Sequence, residues 1–233
     1  VSMELGGNAP LIVYDDADLA SALDVSVPTK YANCGQVCVT PDRFFIHESL
    51  HDAFVDGFIE RASRIKVGDG LDPDVGMGPL INSRSLETID AIVQAALAEG
   101  ATLAYGGKRS TGFNEGHFFD PTVLTNVTDS MRVFDQENFG PVAAITTFKD
   151  ENEVLVRANS STMGLSAYAF TSNPERARRA VATLKSGMVG INSFALAASE
   201  APFGGTNFSG MGREGGAEGI EDYLDTKLSQ IVF

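Results

Sequence analysis

Short apolar runs alternate with amphipathic helical patterns along most of the chain. The apolar runs are rich in β-branched and aromatic residues, and glycine, proline or acidic residues separate them from the helical patterns. Strands separated by helices pair in parallel, because each helix carries the chain back to the edge where the strand began. The pattern therefore predicts an α/β fold with a largely parallel sheet. The expected strands are residues 10–13, 43–47, 102–105, 117–124, 142–148, 165–171 and 188–191.

Capping residues indicate where the helices begin. Asp18 is placed to cap a helix that reaches about residue 33. Ser49 to Asp52 has the form of a capping box for the helix that follows. The apolar face of that helix is expected to consist of Leu50, Phe54, Phe58, Ala62 and Ile65. The other helices are expected over residues 85–99, 151–159 and 174–185.

The tail, residues 227–233, alternates between polar and apolar side chains as a strand does. No partner strand for it is visible in the chain, and a strand of this kind often pairs with another molecule. We therefore expect a domain of residues 1–226, followed by a C-terminal interface strand of residues 227–233.

Charge and composition exclude several classes of partner. The 233 residues include 17 basic and 31 acidic side chains, and the resulting net charge of −14 repels nucleic acid and anionic membranes. No apolar run approaches the ~20 residues that span a bilayer, and residues 1–4 lack the basic and apolar stretches of an export signal. We expect no nucleic-acid or membrane partner and, by default, a cytoplasmic location. The three histidines, His47, His51 and His117, do not form a metal-binding pattern.

Both cysteines, Cys34 and Cys38, lie in the segment from residue 33 to residue 41. Cys38 is the candidate nucleophile, because Gly35 and Pro41 favour a helix-to-strand corner that exposes a thiol together with its own N–H. The alternative is that Cys38 is a small buried apolar residue, as most lone cysteines are. If the segment is helical, the two cysteines lie one turn apart, and a regulatory disulfide between them is a further alternative.

Three other motifs accompany the Cys38 segment. They are Glu-Leu-Gly-Gly-Asn-Ala-Pro at residues 4–10, Gln-Glu-Asn-Phe-Gly-Pro at 136–141, and the glycine-rich pair 202–205 and 209–214. Together with the Cys38 segment they resemble the NAD(P)-dependent aldehyde dehydrogenases, in the same order and with the same separation of Glu4 from Cys38 (38 − 4 = 34 residues). The overall resemblance is to the succinate-semialdehyde type. It runs from the first residue to the last, and it covers the C-terminal half of such an enzyme.

The resemblance implies a fold and a set of roles. The fold is the three-layer catalytic domain of an aldehyde dehydrogenase, with a C-terminal oligomerisation strand, in a homo-oligomer that acts on a small aldehyde. Cys38 is implied to attack the aldehyde carbon, and Glu4 to activate the water that hydrolyses the resulting thioester. Glu137 is implied to accept hydrogen bonds from the nicotinamide ribose, Phe139 to pack near the ring, and Leu5 to offer its carbonyl oxygen to the carboxamide. The cofactor is NAD or NADP, and no metal is implied.

Each acidic residue has a simpler alternative. Glu4 would then be a solvated residue near the start of the chain, and Glu137 a loop carboxylate beside a turn. The alternative function for the whole chain is a non-catalytic assembly domain that is inactive as an isolated fragment.

The chain offers no evident site for the rest of a dinucleotide. Residues 210–215 match G-x-G-x-x-G, but only 18 residues follow Gly215 (233 − 215 = 18), too few for the helix and strand of a dinucleotide-binding unit. We interpret them as a glycine-rich turn. In the family that this chain resembles, the binding site for adenosine and pyrophosphate precedes the Glu4 motif. So does the asparagine that completes the oxyanion hole on the substrate side. We therefore expect the cofactor-binding domain to be absent from this chain, and residues 1–233 alone to bind NAD weakly.

One departure from the family concerns the substrate. Members of the succinate-semialdehyde type usually place an arginine directly before the Asn-x-Gly-Gln-x-Cys segment, where it holds the distant carboxylate of the substrate. This chain has Ala32 at that position. Because a charge-assisted hydrogen bond contributes roughly 1.5–3 kcal/mol, we expect the substrate to be a related semialdehyde or a less charged aldehyde.

Overall fold

The computed structural model describes residues 1–233. The strands are β1 (Met3–Glu4), β2 (Ala9–Val13), β3 (Pro41–His47), β4 (Thr102–Tyr105), β5 (Thr122–Thr125), β6 (Val142–Phe148), β7 (Met163–Gly164), β8 (Ser166–Phe170), β9 (Met188–Ile191), β10 (Thr206–Asn207) and β11 (Gly210–Met211). The α-helices are α1 (Leu19–Tyr31), α2 (His51–Ala62), α3 (Ser83–Ala98), α4 (Arg132–Asp135), α5 (Glu151–Ala158) and α6 (Pro174–Thr183). Short 3-10 turns lie at Ala32–Gly35, Glu48–Leu50 and Glu218–Tyr223.

A seven-stranded sheet forms the centre of the molecule, with the strand order β4-β5-β6-β3-β2-β8-β9. Every neighbouring pair is parallel except β4 and β5, which are antiparallel. This arrangement confirms the predicted α/β fold with a largely parallel sheet. The strand expected over residues 117–124 is shorter than predicted. It begins at Thr122, directly after Pro121, which has no N–H to donate to a neighbouring strand.

Helices cover both faces of this sheet. Phe44 and Phe45 are neighbours in β3 and therefore point to opposite faces. Phe44 contacts Phe54 and Phe58 of α2, with ring centroids 6.5 and 5.5 Å apart, whereas Phe45 contacts Phe134 of α4 at 5.1 Å. All five rings are buried, and each contributes roughly 1.5–3 kcal/mol to folding. The fold thus has the three layers that the resemblance implied.

The helix caps agree with the sequence at one of the two predicted positions. Asp18 accepts a hydrogen bond from the Ser21 N–H at 3.1 Å, as the N-cap of α1. The predicted capping box at Ser49 is wrong. His47 Nδ1 accepts a hydrogen bond from the Ser49 N–H at 3.3 Å and lies 2.8 Å from the Ser49 Oγ. The Ser49 hydroxyl is therefore bonded to the imidazole of His47, and α2 begins at His51 without a side-chain cap.

Two short antiparallel ribbons lie outside the main sheet, one formed by β1 and β11 and the other by β7 and β10. In the first ribbon, Glu4 lies opposite Gly210. The ribbon therefore ties residues 3–4 to the glycine-rich loop that contains β11. Residues 210–215 belong to this ribbon and to the turn after it, which agrees with their interpretation as a glycine-rich turn.

The tail of the chain is uncovered. Residues 227–233 form no strand within this chain, and all of them are exposed. Their pairing with another molecule, and the boundary after residue 226, stay predictions. A helix with the length and apolar character needed to span a membrane is not found in the structure.

Candidate active site

Three segments of the chain meet at one edge of the sheet. Residues 4–8 lead into β2, residues 32–40 into β3 and residues 136–141 into β6. Because β6, β3 and β2 are consecutive parallel strands, their amino-terminal ends lie side by side. The segments that enter these strands are therefore brought together, and each carries one of the predicted polar site residues.

The segment before β3 leaves helix α1 through a left-handed turn. The helix ends at Tyr31, and the next residues include Asn33, Cys34 and Gly35 with φ values of 49°, 60° and 71°. This conformation costs a non-glycine residue roughly 1–2 kcal/mol, so the turn must be held by its surroundings. The expected helix-to-strand corner is present, but Pro41 opens β3 and does not end the helix as the sequence suggested.

Helix α1 ends at Tyr31, so neither Cys34 nor Cys38 lies in it. The condition under which Cys34 and Cys38 would lie one helical turn apart is not met, because Cys34 is already in the left-handed turn. Both thiols are free. Cys34 is fully buried, and burial raises its pKa to about 12 against the opposing effect of Lys30. Cys38 is partly exposed. The description as a buried apolar residue therefore applies to Cys34.

Contacts on two sides hold the Cys38 loop. Gln36 donates from Nε2 to the Asn33 carbonyl at 2.9 Å, and its Oε1 accepts a hydrogen bond from the Ile81 N–H at 2.9 Å. On the other side, Gly35 packs directly against the Gly140 carbonyl, so any side chain at residue 35 would collide with the main chain there. The loop is thereby fixed against the segment that leads into β6.

The surroundings of Cys38 keep its thiol protonated. Burial raises the pKa of Cys38, and the carboxylates of Glu4 and Glu137 raise it further. The main-chain N–H groups of Cys38 and Val39 have the opposite effect and lower its pKa. Neither N–H donates to a carbonyl group in the chain. Two main-chain donors are therefore available beside the thiol, where an oxygen would gain negative charge if the sulfur attacked a carbonyl carbon.

The Glu4 carboxyl group is enclosed and has no hydrogen-bond partner within the chain. Both of its oxygens are buried, and Gly204 leaves room for one of them, since a Cβ there would lie 2.8 Å from Oε1. Burial raises the pKa of Glu4, the Glu214 carboxylate raises it further, and Arg213 lowers it. Glu4 is therefore not the solvated residue of the simpler alternative. An unpaired buried carboxyl group with a raised pKa is suited to accept a proton.

Glu137 faces the same site from the third segment. Its Oε1 accepts a hydrogen bond from the Gly7 N–H at 2.8 Å, and its Oε2 makes none within the chain. Burial raises the pKa of Glu137; the Gly7 N–H and Lys30 lower it, and Asp42 raises it. Gly7 also packs on the nucleophile loop, because a Cβ at residue 7 would lie 2.5 Å from the Cys38 carbonyl oxygen. Gly7 therefore connects Glu137 to Cys38.

Two uncovered apolar side chains accompany these polar groups. Phe139 has a left-handed φ of 50° and is 45% exposed, and Leu5 is 46% exposed. The Leu5 N–H donates to the Ser209 carbonyl at 3.0 Å, whereas the Leu5 carbonyl accepts no main-chain hydrogen bond. An available carboxylate oxygen, an available carbonyl and an uncovered aromatic ring suit a ribose hydroxyl, a carboxamide and a heteroaromatic ring. Glu137, Leu5 and Phe139 thus fit the nicotinamide half of a dinucleotide.

Sequence reasoning missed three residues around the site. The Tyr168 hydroxyl donates to the Val39 carbonyl at 2.8 Å, and burial raises the pKa of Tyr168 to about 12, with Cys38 adding to the effect. Arg213 and Glu214 act on the Glu4 carboxyl group. Residues 209–214 form a recognisable motif in the sequence, but their proximity to Glu4 depends on the pairing of β11 with β1.

A cleft of about 460 Å³ opens beside Glu214. It is lined by Ala197, Ala198, Ser199, Phe203, Glu214 and Gly215. Glu214 is the charged residue of this lining, so the cleft offers apolar surface and a carboxylate but no cation. The chain contains no group of three or more histidine, cysteine, aspartate or glutamate side chains that could hold a metal ion.

Comparison with known proteins gives a consistent set of similarities. A model described as the aldehyde dehydrogenase family matches residues 1–229. The chain is 45% identical over 227 residues to a probable succinate-semialdehyde dehydrogenase [NADP(+)] of Sinorhizobium fredii, covering 97% of the chain and 46% of that protein. It is 42% identical over 229 residues to a betaine aldehyde dehydrogenase of Brucella anthropi, covering 97% of the chain and 47% of that protein.

The chain is also similar to solved structures of dehydrogenases, over almost its whole length. The chain superposes with a TM-score of 0.94 and 42% identity on betaine aldehyde dehydrogenase from Staphylococcus aureus in complex with NAD+, over 97% of the chain and 45% of that protein. An NADP-dependent enzyme of E. coli gives a TM-score of 0.94 at 41% identity, over 97% of the chain and 46% of that protein. The chain thus spans about half the length of the curated relatives it matches.

Proposed function

Because the chain belongs to the aldehyde dehydrogenase family, we propose that it carries the catalytic residues for NAD(P)-dependent oxidation of an aldehyde to a carboxylate. The observation that carries this proposal is the effect of Glu4 and Glu137 on Cys38. Both carboxylates come from separate segments of the chain, and both lie close enough to the thiol to raise its pKa. A partly exposed thiol with two carboxylates near enough to raise its pKa, and with two main-chain N–H groups beside it, has the groups that acyl chemistry on sulfur requires.

The reaction begins with attack by Cys38. A bond forms between Sγ and the aldehyde carbon, the carbonyl π bond breaks, and the electron pair moves to the oxygen. The N–H groups of Cys38 and Val39 stabilise that oxygen. Because the pKa of Cys38 is raised, the thiol proton must leave during the attack, and the partial exposure of Cys38 lets it pass to solvent water.

The nicotinamide supplies a hydride acceptor when it is bound, and loss of hydride from the thiohemiacetal carbon leaves a thioester on Cys38. Glu137 would hold the ribose hydroxyls through its available Oε2, Leu5 the carboxamide through its carbonyl oxygen, and Phe139 one side of the ring. Glu4 then takes a proton from water, whose oxygen attacks the thioester carbon. The bond from carbon to Sγ breaks, the carboxylate is released and the sulfur of Cys38 is regenerated.

Alkylation of Cys38 tests this function. Iodoacetamide should modify Cys38 much faster than Cys34, because Cys34 is fully buried and its pKa is raised to about 12. In the full-length protein, aldehyde oxidation should fall in proportion to the fraction of Cys38 modified, as measured by peptide mass spectrometry. The Cys34→Ala variant is the matched control and should be inactivated at the same rate. Comparable labelling of the two cysteines, or activity that survives complete modification of Cys38, would contradict the proposal.

The substrate that we propose is a related semialdehyde or a less charged aldehyde, whose recognition does not depend on an arginine that holds a distant carboxylate. Ala32 stands where an arginine would hold such a carboxylate, and the cleft beside Glu214 is lined by the Glu214 carboxylate and by no cation. An acidic substrate that enters through this cleft would therefore meet the Glu214 carboxylate, whereas Arg213 is the cation that acts on Glu4. The relatives are named for both anionic and cationic aldehydes.

We expect kcat/KM for succinate semialdehyde to exceed that for a neutral aldehyde of equal length by less than a hundredfold. The reason is that the missing ion pair is worth roughly 1.5–3 kcal/mol, or about tenfold to a hundredfold in affinity. The two rates are compared by following cofactor reduction under identical conditions. A preference above a hundredfold for the acid would indicate a cation that reaches the substrate from another part of the protein.

The tail and the redox state of the thiols support two further parts of the proposal. Residues 227–233 include Leu228, Ile231, Val232 and Phe233, all of them exposed, which suits a strand that pairs with another copy of the chain in a homo-oligomer. A dimer or higher oligomer that persists when the tail is deleted would argue against the role of the tail in assembly.

Two free cysteines, one of them the nucleophile, suit a reducing compartment such as the cytoplasm.

A further inference from the structure

A buried ion pair lies between the nucleophile loop and Glu137. The Lys30 Nζ donates to Asp42 Oδ1 at 2.8 Å, and the side chains are 0% and 5% exposed. Lys30 is in the last turn of α1, and Asp42 is the second residue of β3. Removing two charges from water is costly, and replacing such a pair with apolar residues is often neutral or stabilising. A contribution to stability is therefore a weak explanation for this pair. The other hydrogen bonds of the two side chains indicate a different role.

Asp42 has a second bond that reaches the cofactor segment. Its Oδ2 accepts a hydrogen bond from the Asn138 N–H at 3.1 Å. Asn138 is buried, and its side chain donates to the Val133 carbonyl at 2.8 Å. Asn138 directly follows Glu137 and precedes Phe139, which has left-handed backbone. The Asp42 carboxylate therefore holds the main chain at the point where this strained turn carries Glu137.

We infer that Asp42 is a positioning residue, which holds the turn of residues 137–139 so that the Glu137 carboxylate faces the cofactor, and that Lys30 compensates the charge of Asp42. This rests on the proposed role of Glu137 as the ribose-binding residue. Asp42 follows Cys38 by four residues in the same segment, so the bond to Asn138 sets the position of Glu137 relative to the nucleophile. Lys30 donates to the other oxygen of Asp42 and compensates its buried charge.

Lys30 also has an electrostatic part in this arrangement. The Asp42 carboxylate raises the pKa of Glu137, and Lys30 lowers it, beside the larger effect of burial. With Asp42 alone, the turn would be held but Glu137 would sit beside an uncompensated negative charge. The pair gives Asn138 a strong acceptor while Lys30 offsets the charge that comes with it. Glu137 thus remains able to accept hydrogen bonds.

Two double variants of the full-length protein distinguish the hydrogen-bond acceptor at residue 42 from the charges of Lys30 and Asp42. Lys30→Met with Asp42→Asn removes both charges and keeps an oxygen for the Asn138 N–H. Lys30→Met with Asp42→Leu removes both charges and that oxygen, with a side chain branched at the same carbon. Neither variant leaves an unpaired buried charge, so both are expected to fold. The readouts are the hydrogen exchange of the segment containing the Asn138 amide, the alkylation rate of Cys38, and the KM for cofactor separated from kcat.

We expect the Lys30→Met/Asp42→Leu variant to lose at least tenfold in protection of the Asn138 segment and to raise the cofactor KM by about tenfold. Its Cys38 alkylation rate and its kcat at saturating cofactor should stay within about threefold. The Lys30→Met/Asp42→Asn variant should keep protection and cofactor KM within about threefold of the parent protein. Equal losses in both variants, or no loss in either, would overturn the inference. If the parent protein binds no cofactor, the proposed role of Glu137 fails, while the difference in amide exchange still decides whether Asp42 holds the turn.

Discussion

Replacing Cys38 with serine should lower kcat/KM for aldehyde oxidation by roughly 10⁴-fold or more. The hydroxyl has nearly the shape of the thiol, but it is a much weaker nucleophile, and its alkoxide is a poorer leaving group when the acyl intermediate is hydrolysed. The rate that remains would reflect substrate binding and the two main-chain N–H groups beside residue 38. The measurement is cofactor reduction over aldehyde concentrations below and above KM, with the melting temperature recorded in parallel.

The Cys34→Ala variant is the control for this experiment. It removes the other thiol, four residues away, and deletes only a small, fully buried side chain in the left-handed turn. We expect its melting temperature to fall by a few degrees and its kcat/KM to stay within about threefold. If the Cys38→Ser variant turned over at the rate of the unchanged protein, the alternative of a non-catalytic assembly domain would be favoured.

The central sheet could be predicted because its strands carry their own signal. The strand Val142–Phe148 is buried along almost its whole length, so its sequence is apolar apart from two threonines, and β2 and β8 are fully buried strands. Asp18 was recognisable as a cap because an N-cap acts on residues adjacent in sequence. Where a neighbour competed for the same group, local reasoning failed. Ser49 has the right spacing for a cap, but the ring of His47 holds it in a different turn.

The candidate site was recognisable from motifs, but its geometry was not. Cys38, Glu4 and Glu137 were each named from the sequence, and the parallel order of β6, β3 and β2 explains why their segments meet. The left-handed turn at Cys34 could not be foreseen, because it depends on contacts from Ile81 and Gly140 to its neighbours Gln36 and Gly35. A positive φ at a cysteine has no local signature, and only long-range contacts stabilise it.

The Lys30 and Asp42 pair illustrates the same limit. In the sequence, Lys30 is an ordinary basic residue near the end of a helix, where it would be expected to interact with the helix carbonyls. Its complete burial follows from the packing of α1 against the sheet, and its partner lies beyond the nucleophile loop. The bond from Asp42 to Asn138 spans 96 positions of sequence, so no local pattern could reveal it.

The Glu4→Gln variant should separate the two halves of the proposed reaction. Formation of the thioester does not require an activated water, whereas its hydrolysis does. We expect a burst of reduced cofactor that approaches one equivalent per Cys38, followed by a steady-state rate lower by roughly 10²–10⁴-fold. The substitution is nearly isosteric, and it breaks no hydrogen bond within the chain, because neither Glu4 oxygen has a partner there. Rapid-mixing measurements of cofactor absorbance provide the test, and an unchanged steady-state rate would remove Glu4 from the mechanism.

The direction of thiol reactivity in the same variant decides what Glu4 does to Cys38. The Glu4 carboxylate raises the pKa of Cys38, so its removal should lower that pKa, increase the thiolate fraction near neutral pH and make alkylation at least twofold faster. A base that was needed to ionise the resting thiol would give the opposite result, a slower alkylation. The pH dependence of steady-state oxidation provides a second test of the role of Glu4. Because the pKa of Glu4 is raised, the acid limb of steady-state oxidation should lie above the range in which an exposed glutamate titrates. That limb should be absent from the residual activity of the Glu4→Gln variant, since glutamine has no proton to lose.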